Sequence, residues 1–125
     1  MEKLSTIQKQ NNLNVVFRCG SVGPGEAYHD YSISLVGAIN TAGAQYYPIQ
    51  IHFQRGARKD PAARHGILDN DLLEIVRDRL AAFQAGDYPC HENEMALMHI
   101  EEALMWMNRR VEDRAEREVL GTYEK

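Results

Sequence analysis

The sequence predicts an α+β chain in which a small N-terminal antiparallel β-sheet precedes a C-terminal antiparallel two-helix hairpin. Three patterns predict it. Between Asn14 and Phe53, short apolar or β-branched runs are separated by turn-forming residues, and Ile49, Ile51 and Phe53 alternate with Gln50, His52 and Gln54 as on a strand with one buried face. From Ile67 the apolar spacing changes to alternating steps of three and four, which marks one side of a helix. That helical pattern breaks once, at the short linker Asp87-Tyr88-Pro89, and two helices so closely joined fold back on each other.

The candidate strands are Val15 to Arg18, Tyr31 to Val36, and Tyr46 to Phe53. Gly20 to Gly25 reads as a loop and Asn40 to Gly43 as a turn, because Gly and Asn tolerate positive φ and Pro fixes its own. Gln54 to Gly66 is polar, carries Arg55, Arg58, Lys59 and Arg64, and contains Pro61, so an exposed basic loop is expected there. Leu73, Val76, Leu80 and Phe83 form the first helical stripe, with Asp69 as the expected N-cap and Gly86 as the C-cap. The second stripe, Leu97, Ile100, Leu104, Met107 and Val111, predicts a longer helix from about Glu92 to about Glu116. Met95, Met98, Met105 and Trp106 lie off that stripe, so part of the helix surface should meet the sheet or another subunit.

The 125 residues suit one domain over 1–125, divided into a β-rich part at 14–54, the hairpin at 67–117 and a tail at 118–125. A core of that size is modest, and a subunit partner would add buried surface. Eighteen acidic against fourteen basic residues give a net charge of −4, which excludes the broad basic field used to hold DNA or RNA. A small anion gripped by a few placed arginines remains compatible with that charge. Cys19 and Cys90 form neither a disulfide framework nor a zinc signature. Met1 to Asn14 lacks the apolar core of a signal peptide and no run is long enough to span a bilayer, so a cytoplasmic protein is expected.

Generic catalytic motifs fail on inspection. His91-Glu92-Asn93-Glu94-Met95 opens like a zinc-protease helix but has Met95 where the second imidazole must stand. The glycine loop lacks the Lys and Ser/Thr of a phosphate-binding loop, and Asp69, Asp71 and Glu74 are better explained by the dipole of a helix N-terminus than by a metal. A small hydrolase using Asp69, Asp71 or His91 is the enzymatic alternative, without a convergent nucleophile or metal set, and neither cofactor nor metal is expected. The arginines near the end of the long helix are more informative. Arg110, Arg114 and Arg117 follow helical spacing and can converge on an anion, with Gly121-Thr122 just beyond, or they can pair with Glu112, Asp113 and Glu116.

From Ile49 onward a longer order of motifs appears: Ile51-His52-Phe53-Gln54, a polar loop, Leu72 to Gly86, Cys90-His91-Glu92-Asn93, Glu101 to Trp106, and Gly121-Thr122. This order resembles the helical hairpin shared by the Thoeris anti-defence and anti-CBASS sponge proteins of phages, and the β-rich first half tilts the resemblance to the Thoeris type. The resemblance implies a protein without catalytic activity that sequesters the nucleotide messengers of bacterial immunity in the infected host's cytoplasm. The implied ligands are glycocyclic ADP-ribose isomers, with CBASS cyclic dinucleotides and trinucleotides as further ones, and the implied assembly is a homo-oligomer, dimer or hexamer.

Carried over by position, the resemblance points to Phe83 and Asn93 as central ligand contacts, with Arg58 and Arg110 for a diphosphate, Phe17 as a second aromatic wall, and Asp87 and Tyr88 at the bend. An aromatic face stacks on adenine, and an Asn amide both donates and accepts. Phe83 also falls on the apolar stripe, and Asn93 can equally cap the second helix. Arg114, Arg117, Gly121 and Thr122 form a separate candidate for a cyclic oligonucleotide. There the chain departs from the hairpin proteins it resembles, which usually have Arg-Gly-Val before the terminal Gly-Thr where this one reads Arg117-Glu118-Val119.

Overall fold

A computed structural model describes residues 1–35 and 48–125. The expected turn at Asn40 to Gly43 and the first residues of the expected strand from Tyr46 lie outside the described residues, as does Val36. Strands β1 (Glu2–Lys3), β2 (Asn14–Cys19), β3 (Asp30–Leu35) and β4 (Ile49–His52) form an antiparallel sheet in the order β1-β2-β3-β4, and helices α1 (Asp69–Ala85) and α2 (His91–Glu116) follow. The predicted α+β arrangement is thus the observed one. The chain divides into two compact units, Met1–Gly56 with Ala62–Gly66, and Ala57–Pro61 with Ile67–Lys125.

In the sheet unit, β1 is an addition to the sequence reading. Two residues are too few to show a period, yet Glu2 stands opposite Arg18 in the ladder and its carboxylate lies 3.6 Å from the guanidinium. Register places Phe17, Ser32 and Gln50 across one face, and Val16, Ile33 and Ile49 across the other. Ser32 is 1% exposed, and its hydroxyl oxygen accepts a hydrogen bond from the Cys19 thiol at 3.6 Å.

The Gln54 to Gly66 stretch is tied down more firmly than an exposed loop would be. Arg55 and Arg64 exchange backbone hydrogen bonds of 2.8 and 2.9 Å. The Arg64 guanidinium reaches back to the Asp30 carboxylate, at 2.8 and 3.3 Å, and to the Phe53 carbonyl at 3.0 Å. His52, opposite Asp30 in the register, completes the cluster with a 2.7 Å contact from its Nδ1. Arg64 first, then His52, hold the Asp30 carboxyl below its ordinary range by hydrogen bonding to the charged form. The pairing therefore stabilises the fold above the unfolded-state value of about 3.9 and fades as pH falls through the lower folded value.

In the helical unit, the Arg77 guanidinium of α1 meets Glu101 of α2 at 2.9 Å, a contact that a reversed second helix makes, and the Gln84 side chain meets Cys90 across the bend. The caps differ from expectation. Leu68, not Asp69, is the N-cap of α1, and the carboxylate that counts is Asp71, which accepts the Leu68 N–H at 2.8 Å. Gly86 is the C-cap but has φ −91°, so it does not use the left-handed freedom that made glycine the expected residue. Cys90, not Asn93, caps α2: its sulfur accepts the Asn93 N–H at 3.4 Å.

Among the described residues no apolar side chain is fully buried, and the buried pair is Ser32 and Arg114. Leu73, Leu80, Leu97, Ile100, Leu104 and Met107 are half-buried, whereas Val76, Phe83 and Val111 are exposed although they belong to the expected core stripes. Two packed helices share one line of contact, so flanking apolar positions need a further layer. Ile75, Met98, Met105 and Trp106 are exposed as well.

The end of α2 explains the Glu118 departure. Arg117 is the C-cap, the Glu118 N–H bonds the Ala115 carbonyl at 3.1 Å, and the Val119 N–H bonds the Arg114 carbonyl at 2.9 Å. This is the Schellman pattern, whose next residue must turn left-handed, and Glu118 does so with φ +58°. Glycine adopts that conformation without a Cβ clash, and a carboxylate also sits poorly at the negative end of the dipole. Glu118→Gly should stabilise the fold by about 1 kcal/mol, read as a rise of a few degrees in Tm; an unchanged or lowered Tm would refute the strain.

Candidate functional site

The bend between the helices is built by two neighbouring residues of α1. Phe83 is 47% exposed, and the Arg79 guanidinium one turn earlier lies 5.2 Å from its ring centroid. Arg79 makes no ion pair among the described residues, so Phe83 is an aromatic surface with an adjacent positive charge. Gln84 binds both backbone groups of Cys90, donating from Nε2 to the carbonyl and accepting the N–H on Oε1, each at 3.0 Å. Cys90 then fixes the first turn of α2, where Asn93 is the third helical residue. Because Cys90 supplies the cap, the Asn93 carboxamide makes no hydrogen bond among the described residues and remains able to donate and accept. Asp87 and Tyr88 are exposed in the linker, Tyr88 at 88%.

The remaining candidates lie elsewhere. Asn93 and Arg110 are separated by seventeen residues of continuous helix, about 25 Å at 1.5 Å per residue. Arg110 belongs instead to the far end of α2, one turn before Arg114. Arg58 stands at that end too: a Cβ placed on Gly121 would lie 3.6 Å from the Arg58 Cβ and 3.2 Å from the Lys59 Cγ. The tail closes over this segment through the Lys59 N–H to the Gly121 carbonyl, 2.9 Å, and the Tyr123 hydroxyl to Asp60, 2.9 Å. Gly121 turns with φ +77°, the left-handed region that favours glycine, and an added Cβ would press on the Lys59 stem. The structure therefore gathers Arg58, Arg110, Gly121 and Thr122 at the arginine-rich end, and Phe83, Asp87, Tyr88 and Asn93 at the bend.

Two of the tail arginines have intramolecular partners. Arg114 is 7% exposed and its Nη2 donates to the carbonyls of Val119 and Thr122, both at 3.0 Å. Arg117 pairs with Asp113 at 3.1 Å and donates to the Lys125 carbonyl at 2.7 Å. Arg110 makes no such contact among the described residues. Phe17 lies in the sheet unit, half-buried on β2 opposite Ser32.

Sequence reading passed over Arg79, Gln84 and Cys90. The signal for Arg79 was present, since it stands four residues before Phe83 on the same helix face. Gln84 and Cys90 gave no comparable signal, because a side chain bonding a backbone six residues away has no characteristic spacing. No group of three or more His, Cys, Asp or Glu is arranged to hold a metal among the described residues, and Asp71 is engaged in capping.

Comparison with known proteins places these features in a family. A curated protein called Thoeris anti-defense 1, from Bacillus phage SBSphiJ7, is 43% identical over 75 residues, which is 60% of this chain and 52% of that protein. The alignment thus spans about half the length of the relative. The hairpin-domain family Acb2/Tad1 matches residues 48–112, which include β4, the polar loop, the bend and most of α2. With more than half of its length matched, the chain belongs to the Acb2/Tad1 hairpin-domain family.

Proposed function

We propose that this chain is a phage anti-defence sponge that binds and sequesters the cyclic nucleotide signals of bacterial immunity, foremost glycocyclic ADP-ribose isomers, without degrading them. One observation carries the reading beyond the family name. The bend presents an exposed aromatic ring, an adjacent arginine and a carboxamide with no internal partner, the groups that stack on a base and bond its edge or a ribose. The similarity to a phage protein named for Thoeris anti-defence supports the same class of ligand.

A diphosphate needs more positive charge than Arg79 alone, and Arg58 and Arg110 are the candidates to supply it. Since about 25 Å of helix separates Arg110 from Asn93, a ligand touching both is bound between copies of the chain. The exposed apolar residues Val76, Met98, Met105 and Trp106 are consistent with such a homo-oligomer, a dimer or a hexamer. The arginine-rich end, with Gly121 and Thr122, is the place for a cyclic dinucleotide or trinucleotide. Its arginines are fewer than their number suggests, because Arg114 and Arg117 already hold the tail. The site of action is the host cytoplasm, and no described helix is long and apolar enough to cross a membrane.

The test is recovery of the messenger. Protein incubated with glycocyclic ADP-ribose, washed free of unbound ligand and then heated should release intact ligand that still activates the immune effector. Release of a cleaved product would replace the sponge with a hydrolase, and release of nothing would remove the ligand altogether.

A further inference from the structure

We infer that Gln84 is the positioning residue of the bend, holding the backbone at Cys90 so that Asn93 is presented to a ligand stacked on Phe83. The inference rests on the reading of the bend as the nucleotide site. Its basis is a side chain acting as a strand would. The Gln84 amide satisfies both backbone groups of Cys90 at 3.0 Å, a two-bond ring like that of an antiparallel ladder, with a carboxamide replacing one backbone. The amide carries donor and acceptor side by side on one planar group; a carboxylate keeps the acceptor alone and a thioether offers neither in useful strength.

The bend needs such a device. Gly86 to Cys90 are all exposed, and the Gly86 N–H reaches the Phe83 carbonyl at a long 3.3 Å. The α2 cap is a sulfur, a weak acceptor, at 3.4 Å from the Asn93 nitrogen. Cys90 nevertheless has three duties at the start of α2: its sulfur takes the Asn93 N–H, its carbonyl takes the Glu94 N–H at 3.1 Å, and its φ/ψ of −143° and 157° set the entry direction. Fixing Cys90 therefore fixes the turn that carries Asn93. Gln84 also follows Phe83 directly in sequence, so one helical turn contributes both the aromatic surface and the brace for the residue opposite. Without the brace the linker samples other shapes, and a ligand must select the competent one, which weakens apparent affinity by the fraction populated.

The experiment uses the full chain, amide exchange by NMR, and calorimetry with glycocyclic ADP-ribose as the probe. In Gln84→Met the Cys90 amide should exchange at least tenfold faster than in the parent, and affinity for the probe should fall about tenfold. Gln84→Glu, which retains the acceptor for the Cys90 N–H, should fall between the two and covers the case in which the methionine variant folds poorly. The decisive comparison is the double variant Gln84→Met with Asn93→Ala. If Gln84 acts through Asn93, the double variant binds no more weakly than Asn93→Ala alone, whereas a general loss of structure adds in full. Unchanged exchange at Cys90 would overturn the clamp, and full additivity would overturn the positioning role. Faster exchange in Gln84→Met beside a parent protein that does not bind the probe would overturn the bend reading, and the positioning role with it.

Discussion

Phe83→Ala should weaken binding of glycocyclic ADP-ribose by about 1–3 kcal/mol, the range for loss of one base-stacking aromatic, or roughly 5–150-fold. The same substitution should disturb the fold much less than a core Phe→Ala would, because the ring is 47% exposed and its clearest neighbour is the Arg79 guanidinium at 5.2 Å. Core Phe→Ala changes cost about 3–5 kcal/mol through the cavity they leave, and an exposed ring leaves none. Calorimetric titration beside a urea melt separates the two effects. Affinity lost with the midpoint nearly unchanged identifies a ligand surface. Affinity retained at the parent level would remove Phe83 from the site, and a collapse of the urea midpoint would return it to the packing stripe on which its spacing first placed it.

Arg114→Met should destabilise the helical unit by about 2–3 kcal/mol, the range for deleting a charged donor from buried hydrogen bonds. The guanidinium is 7% exposed and holds two carbonyls of the tail, so its removal orphans that of Thr122, leaves that of Val119 to the Thr122 N–H and hydroxyl, and loosens residues 119–122 at the end of α2. The tail docks on the segment around Lys59, so that segment should loosen too. Arg114→Lys should rescue part of the loss, since both bonds leave from one nitrogen, Nη2, and an ammonium carries donors enough for two carbonyls. Arg110→Met is the control: Arg110 makes no hydrogen bond or ion pair among the described residues, and its loss should change the stability by less than about 0.5 kcal/mol. Equal effects at the two positions would show that burial of Arg114 contributes nothing to the fold.

These two residues mark where sequence reading stops. Spacing identified both as members of helical rows, and the rows are real: α1 and α2 begin and end within a residue or two of the positions their stripes and linker imply. What spacing cannot convey is which row faces a neighbour. Phe83 stands on an apolar stripe yet is exposed, because two helices alone do not enclose a stripe. Arg114 stands on a charged row yet is buried, because the tail after the Schellman turn folds back across it. The capping residues misled for a related reason. Asp69 and Asn93 are the conventional choices, but Leu68 holds the first position with Asp71 supplying the bond, and Cys90 holds the second with its own sulfur while Gln84 braces its backbone. β1 was illegible because two residues have no period. By contrast, the distance between Asn93 and Arg110 was legible from their numbering alone once both lay on one helix.

That distance has a consequence for counting. A rigid helix works as a ruler, and α2 sets its two marks further apart than any single cyclic dinucleotide or ADP-ribose ring can bridge. A ligand that contacts both marks belongs to no one chain. Each chain carries one of each mark, so in a closed assembly such seams equal the chains in number, and a titration that ends at one messenger per chain does not by itself mean that one chain holds it.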